Sequence, residues 1–193
     1  MRGKILNVAS AAAGKLQQNQ ELSDLVQALG CGTGAKYDAS ALRYERIIIM
    51  TDADVDGAHI ASLLLTFFYR EMPGLIDDNR LFLAMPPLYR LTQGGKTIYA
   101  RDDADRERIL KKEFRAGAKV EVSRFKGLGE MMPAQLKETT MRPGHRTLLQ
   151  VHIPADDGNK TENLFERLMG KKPELRFQFI QENAEFAKEA VDV

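Results

Sequence analysis

The strongest hydrophobic pattern in the chain is an apolar run at residues 47–50, which ends abruptly in acidic residues. A run with no polar face predicts a strand buried on both sides, as in a parallel sheet covered by helices. The next stretch, residues 58–72, is broadly apolar and has no helix breaker until Pro73. It predicts a long helix that packs against the sheet. Together the two patterns indicate an α/β fold.

Weaker patterns predict the remaining elements. Apolar residues at helical spacing predict a helix over residues 21–29 that ends at Gly30. Residues 101–105 have the polar composition of a linker. Further strands are predicted over residues 80–85, 96–100, 120–122 and 148–153, and further helices over residues 106–114, 133–140, 161–169 and 173–188. The order of these elements predicts a parallel sheet flanked by helices, followed by a mixed, mainly helical tail.

Three carboxylates, Asp52, Asp54 and Asp56, follow the apolar run at alternate positions. In α/β sheets, ligands bind at the carboxyl ends of the strands, which is where these residues fall. Carboxylates about 5 Å apart repel each other by roughly 3 kcal/mol per pair at an effective dielectric constant of about 20, and a cation would relieve that repulsion. Oxygen ligands favour Mg²⁺, Mn²⁺ or Ca²⁺ over zinc. The sequence therefore predicts a divalent metal site at the end of the strand.

Three other interpretations of the acidic cluster compete with the metal site on these residues alone, and the sequence argues against the second of them. Asp54 or Asp56 could simply cap the following helix. The spacing also opens like an EF-hand loop, but its twelfth position is Leu63, where a bidentate glutamate is required. A strand followed by Asp-x-Asp also resembles phosphohydrolases of the haloacid dehalogenase class, in which Asp52 would be the nucleophile.

Composition limits the remaining function classes. The chain has 193 residues, 44% hydrophobic and 28% charged, as in soluble globular proteins, and no run approaches the ~18 apolar residues of a membrane span. Its single cysteine, Cys31, excludes an intrachain disulfide and is expected to be a small buried residue rather than a reactive thiol. The net charge is only +1, but residues 106–146 contain eleven basic and five acidic side chains. That stretch is positive enough to bind the phosphates of a nucleic acid.

Several sequence blocks in order resemble the B subunits of bacterial type IIA DNA topoisomerases. The resemblance covers the chain from end to end, and it rests on residues 2–7, 20–22, 28–32, 49–60, 86–89 and 125–131. It implies a toprim fold with a helical tail, in which Asp52 and Asp54 are Mg²⁺ ligands and Asp56 is a third acid. A tyrosine of the A subunit, not of this chain, would attack the DNA.

The same resemblance implies the residues that meet DNA. Lys4, Asn7, His59, Lys126 and Arg146 match positions that face DNA or its phosphates in this family. The loop at residues 125–131, which carries Lys126, is implied to lie near the metal site. Two further positions, Arg2 and Glu21, match residues at the border of the pocket where quinolone drugs bind to cleaved DNA. The implied partners are double-stranded DNA and the A subunit, in a heterotetramer of the bacterial cytoplasm and nucleoid, with no membrane.

Within this family, one feature separates the two bacterial enzymes. Many Gram-negative gyrase B subunits carry a long insertion between the blocks at residues 86–89 and 125–131, whereas about 35 residues separate those blocks here. This favours the topoisomerase IV type of B subunit. A gyrase-type B subunit that lacks the insertion is the alternative.

The family's Glu-Gly-Asp-Ser-Ala block, which supplies the catalytic glutamate, does not occur in the chain. The resemblance therefore predicts that residues 1–100 are a toprim domain that begins inside the fold, and that residues 101–193 are a tail region. ATP would bind only to the absent N-terminal part of the full-length protein. We expect this chain alone to bind Mg²⁺ weakly and to lack topoisomerase activity.

Overall fold

The computed structural model describes residues 3–12, 14–115, 117 and 119–184. By residue contacts the chain divides into two compact units, and each draws on separated segments. The first unit comprises residues 1–45, 62–80 and 152–193, and the second comprises residues 46–61 and 81–151. Among the described residues, no helix is long and apolar enough to cross a membrane.

Helices dominate the first unit. Asn19 caps α2 (Gln20–Leu29) by accepting a hydrogen bond from the Leu22 amide at 3.0 Å, and Gly30 ends the helix with a positive φ of 78°. This confirms the predicted end of that helix. The helices of the first unit are α1 (Lys15–Gln18), α2 (Gln20–Leu29), most of α3 (Val55–Glu71), α4 (Gly74–Asp77), α7 (Lys160–Met169) and α8 (Pro173–Glu182).

Buried apolar side chains form the interior of the first unit, and Cys31 is among them with 1% of its surface exposed. The prediction that Cys31 is a small buried residue is therefore confirmed. The aromatic rings of Tyr69 on α3 and Phe165 on α7 stack with centroids 4.4 Å apart, and Arg70 pairs with Glu162 at 2.8 Å. These contacts hold α7 against the C-terminal half of α3.

The second unit contains two three-stranded sheets. In the first sheet, β1 (Ile47–Ile49) pairs in parallel with β2 (Leu81–Ala84), and β2 pairs antiparallel with β6 (Leu148–Gln150). The predicted strand at residues 47–50 and its parallel partner are confirmed. The strand predicted over residues 148–153 is shorter, and it makes the sheet mixed rather than purely parallel.

The second sheet was only partly predicted. Its order is β4-β3-β5, with β3 (Tyr89–Gln93) antiparallel to both β4 (Lys96–Ala100) and β5 (Glu121–Arg124). No strand was predicted at the position of β3. A hydrophobic cluster of Tyr89, Leu91, Ala100, Ile109 and Phe114 packs this sheet against α5 (Asp103–Glu113).

Two helix boundaries differ from the predictions because aspartates cap the helices. Helix α3 begins at Val55, not at residue 58, since the Asp54 carboxylate accepts a hydrogen bond from the Gly57 amide at 2.6 Å. Helix α5 begins inside the predicted linker, since Asp102 accepts one from the Asp105 amide at 2.7 Å. The helix predicted over residues 133–140 is confirmed, in the form of α6 (Pro133–Leu136) followed by a π-helix (Lys137–Met141).

Candidate functional site

The acidic cluster lies at the carboxyl end of β1, in the loop that leads into α3. The side chains of Asp52, Asp54 and Asp56 are all exposed, whereas Ile49 at the end of the strand is buried. Asp56 occupies the first turn of α3, where the positive end of the helix dipole stabilises a carboxylate. The strand and helix thus present negative charge to solvent at one edge of the sheet.

Asp54 has a structural role in this loop. Its Oδ1 accepts the Gly57 amide at 2.6 Å, and its carbonyl oxygen accepts the Ala58 amide at 3.0 Å. The helix-cap interpretation therefore describes Asp54 correctly. A capping carboxylate keeps further lone pairs, so this role does not prevent Asp54 from binding a cation.

Asp52 contacts a loop that lies far away in the sequence, residues 125–131. Its Oδ1 accepts a hydrogen bond from the Leu128 amide at 2.7 Å, across 76 residues. The same carboxylate packs directly on Gly127. This is the loop that the family resemblance placed near the metal site. Neither the amide contact nor the packing on Gly127 has a signal in the sequence.

The chemistry of Asp52 and Asp54, two exposed carboxylates, is compatible with an open magnesium site. Among the described residues, no group of three or more His, Cys, Asp or Glu side chains is arranged to hold a metal. Mg²⁺ does not require such a cage, because it usually keeps several waters and is bound through one or two carboxylates together with substrate phosphates. Exposed aspartates in the loop after β1 match that mode of binding.

A mainly apolar cavity of about 500 Å³ borders Asp52 within the second unit. Its polar lining includes Thr51 beside the acidic cluster, Arg101 and Asp102 at the start of α5, and Thr147 before β6. No function was predicted for Arg101 or Asp102, since both fell in the predicted linker.

Charge is also concentrated around the first turn of α5. Asp105 is 9% exposed, pairs with Arg108, and accepts the Arg101 amide at 3.2 Å. Burial raises the pKa of Asp105, but the hydrogen bonds from Arg108 and from the Arg101 amide outweigh it, so the pKa lies below its ordinary value. The Tyr89 hydroxyl donates to Asp103 at 2.8 Å.

The other predicted DNA contacts of the second unit are His59, Lys126 and Arg146. His59 is exposed in the N-terminal part of α3, and Lys126 is exposed in the loop that contacts Asp52. Arg146 is half-buried, and its Nη1 donates to the Met141 carbonyl at 3.2 Å, at the end of the π-helix. Arg146 therefore has a structural contact, and its role toward DNA stays a prediction.

The remaining predicted residues belong to the first unit, except that Arg2 lies outside the described residues. Lys4 is exposed, and Glu21 is half-buried in the first turn of α2. Asn7 is engaged by the protein: its Nδ2 donates to the Met169 carbonyl at 2.9 Å, and its Oδ1 accepts the Ala9 amide at 3.1 Å. Asn7 thereby joins the N-terminal segment to the end of α7.

Two family models match the chain. A toprim domain matches residues 1–86, and the carboxyl terminus of the DNA gyrase B subunit matches residues 117–181. The chain is 65% identical to the DNA topoisomerase 4 B subunit of Caulobacter vibrioides over 193 residues, which is 100% of this chain and 28% of that protein. It is 60% identical to the DNA topoisomerase 4 B subunit of Bartonella bacilliformis over 97% of the chain and 27% of that protein. It is 50% identical to the DNA gyrase B subunit of Halalkalibacterium halodurans over 97% of the chain and 29% of that protein.

Proposed function

Because this chain belongs to the B-subunit family of bacterial type IIA DNA topoisomerases, we propose that it provides metal-binding acids and DNA contacts for double-strand cleavage and religation. The chain spans a little over a quarter of the length of the curated relatives it matches. The proposed activity is therefore that of a larger, ATP-dependent assembly. These comparisons favour it over the phosphohydrolase alternative.

The observation that carries this proposal is the position of Asp52. Its carboxylate lies exposed after β1 and is held by the amide of Leu128. Asp52 and Asp54 would hold Mg²⁺, with Asp56 as a third acid in the adjoining helical turn. The ion, when bound, would stabilise the negative charge that develops on the transferring phosphate.

Calorimetry of this chain with Mg²⁺ tests the assignment of the acids. We expect weak binding that Asp52→Ala abolishes, since two exposed carboxylates without a substrate phosphate leave most of the coordination to water. The matched control is Glu107→Ala, which removes an exposed carboxylate from α5. Tight stoichiometric binding that survives Asp52→Ala would contradict the proposal.

The proposed DNA-binding residues are Lys4, Asn7, His59, Lys126 and Arg146, and Arg2 and Glu21 would border a quinolone pocket. Anisotropy of a labelled duplex, measured with the A subunit present, tests the phosphate contacts. Lys126→Ala should weaken DNA binding equally across DNA sequences. It should also reduce the slope of the logarithm of the binding constant against the logarithm of the salt concentration by about one, since one phosphate contact is lost. An unchanged salt dependence in Lys126→Ala would remove that residue from the interface.

We propose topoisomerase IV, rather than gyrase, as the enzyme. Identity to the two topoisomerase 4 relatives is 60–65%, against 50% to the gyrase relative, and the spacing of about 35 residues between the two blocks leaves no room for the long insertion. Co-purification tests the choice. The chain should be retained by an immobilised A subunit of topoisomerase IV and not by that of gyrase, and the opposite result would favour gyrase.

The assembly would be a heterotetramer of two A and two B subunits in the bacterial cytoplasm, associated with the nucleoid. We expect a mixture of this chain and the A subunit to associate without relaxing supercoiled DNA, because the chain contains no Glu-Gly-Asp-Ser-Ala block. Relaxation by that mixture would show that other acids complete the site.

A further inference from the structure

Gly127 has no backbone reason to be glycine. Its φ of −161° and ψ of 172° describe extended backbone that any residue adopts. One reason for a glycine at such a position is the close approach of another group. The group that approaches Gly127 is the side chain of Asp52.

The Asp52 carboxylate occupies the space that a side chain at residue 127 would need. A Cβ added to Gly127 would lie 2.9 Å from Cγ, 3.0 Å from Oδ1 and 3.2 Å from Oδ2 of Asp52. The next amide along the loop, that of Leu128, donates to the same Oδ1 at 2.7 Å. Gly127 therefore leaves the space for one rotamer of Asp52, and the Leu128 amide stabilises the same rotamer by its hydrogen bond.

The loop that presents this amide is held by its own contacts. Glu130 Oε2 accepts the Lys126 amide at 2.7 Å, and the Glu130 amide donates to the Gly127 carbonyl at 3.2 Å. Phe125 and Met131, at the two ends of the loop, are buried. Because the loop is anchored at both ends and closed across its middle, it can define a direction for a flexible side chain.

We propose that Gly127 and the Leu128 amide are positioning elements for Asp52, which set the orientation of its carboxylate for a divalent cation. The amide occupies one lone pair of Oδ1, and the remaining lone pairs of the carboxylate are left for the ion. This inference rests on the proposed function of Asp52 as a metal ligand. It adds that a loop 76 residues away in sequence determines how that ligand points.

Gly127→Ala tests the geometry without any metal, and Gly129→Ala is the matched control. Gly129 lies in the same loop, and nothing lies within 4 Å of a Cβ added there. In Gly127→Ala the Asp52 side chain should rotate away, since it is the mobile partner of the clash. Amide hydrogen exchange of Leu128 should then be faster by about tenfold, the loss expected for a hydrogen bond to a charged group.

The outcomes of that exchange experiment are distinct. Faster exchange at Leu128 in Gly127→Ala and in Asp52→Ala, with Gly129→Ala unchanged, supports the proposal. Unchanged exchange in Gly127→Ala overturns it. Far-UV circular dichroism of each variant verifies that the fold is retained.

A titration with Mn²⁺, followed by paramagnetic broadening of the amide signals of residues 125–131, separates this inference from the proposed function. Weaker Mn²⁺ binding in both Gly127→Ala and Asp52→Ala, but not in Gly129→Ala, supports both. Weaker binding in Asp52→Ala alone overturns the positioning role and leaves the metal ligand in place. If all variants bind Mn²⁺ equally, Asp52 is not a metal ligand, and Gly127 and the Leu128 amide do not position it for a metal.

Discussion

Gly57→Ala should destabilise this protein, although glycine to alanine inside a helix ordinarily stabilises by up to about 1 kcal/mol. Gly57 is buried in the first turn of α3 and lies against the backbone of the acidic loop. A Cβ at this position would be 2.0 Å from the carbonyl oxygen of Asp52 and 2.8 Å from its carbonyl carbon. Rotating a side chain cannot relieve that clash.

The size of the effect follows from these distances. The loop backbone must move by at least about 1 Å to reach a tolerable separation, and overpacking of this kind costs typically 1–3 kcal/mol. The movement would also strain the hydrogen bond from the Gly57 amide to Asp54, and losing a helix cap costs about 1 kcal/mol. After the gain in helix propensity is subtracted, we expect a net loss of about 2 kcal/mol in the free energy of unfolding.

Urea unfolding of the chain, followed by far-UV circular dichroism, measures this loss as a lower midpoint with an unchanged slope. A thermal scan should show a melting temperature lower by about 5 °C for a chain of this size. The matched control is Gly95→Ala, at an exposed turn where nothing lies within 4 Å of an added Cβ, and it should stay within about 0.5 kcal/mol. If Gly57→Ala is as stable as the unmodified chain, Gly57 does not lie as close to the Asp52 carbonyl as the structure describes.

Three further predictions concern other residues. Asp105→Asn should lower the free energy of unfolding by about 1 kcal/mol at pH 7 by weakening the pair with Arg108. Burial raises the pKa of Asp105, but the hydrogen bonds from Arg108 and from the Arg101 amide together lower it by more. The difference from the unmodified chain, measured by urea unfolding at several pH values, should therefore persist above the unfolded pKa of about 3.9 and vanish as the pH falls below it. Asn7→Ala should speed amide exchange in the turn at residues 8–11 by removing the contact with the Met169 carbonyl, and unchanged exchange there would contradict that contact. Cys31 should react slowly with a thiol reagent in the folded chain and rapidly in urea, because burial raises its pKa and leaves 1% of its surface exposed.

Local patterns were sufficient for the elements that position the acids. The apolar run at residues 47–50 predicted β1, and the acidic residues lie in the loop after it, as the pattern predicted. The predicted start of α3 is wrong by three residues because Asp54, a predicted metal ligand, also caps the helix. Asp54 suits both a helix cap and a metal ligand, and the spacing of the acidic residues does not decide between these two roles.

Long-range contacts could not be predicted in the same way. The hydrogen bond between Asp52 and Leu128 spans 76 residues, and that between Asn7 and Met169 spans 162. Strand β3 was missed for a related reason. It has no strong hydrophobic pattern of its own, and it forms a strand by pairing with its two neighbours, β4 and β5. The family resemblance placed the loop of Leu128 near the acids, but only the structure identifies the amide and the glycine involved.

Two glycines leave room for Asp52, and they act on different parts of it. Gly57 accommodates the carbonyl group of Asp52, and Gly127 accommodates its carboxylate. An exposed aspartate would ordinarily sample several rotamers, and fixing one of them on binding a cation would cost conformational entropy. Here Gly57 lies against the backbone of Asp52 and Gly127 lies against its carboxylate, so much of that ordering would be present before an ion bound at the proposed site. Gly57→Ala should therefore impair both the fold and the site, whereas Gly127→Ala should impair the site alone.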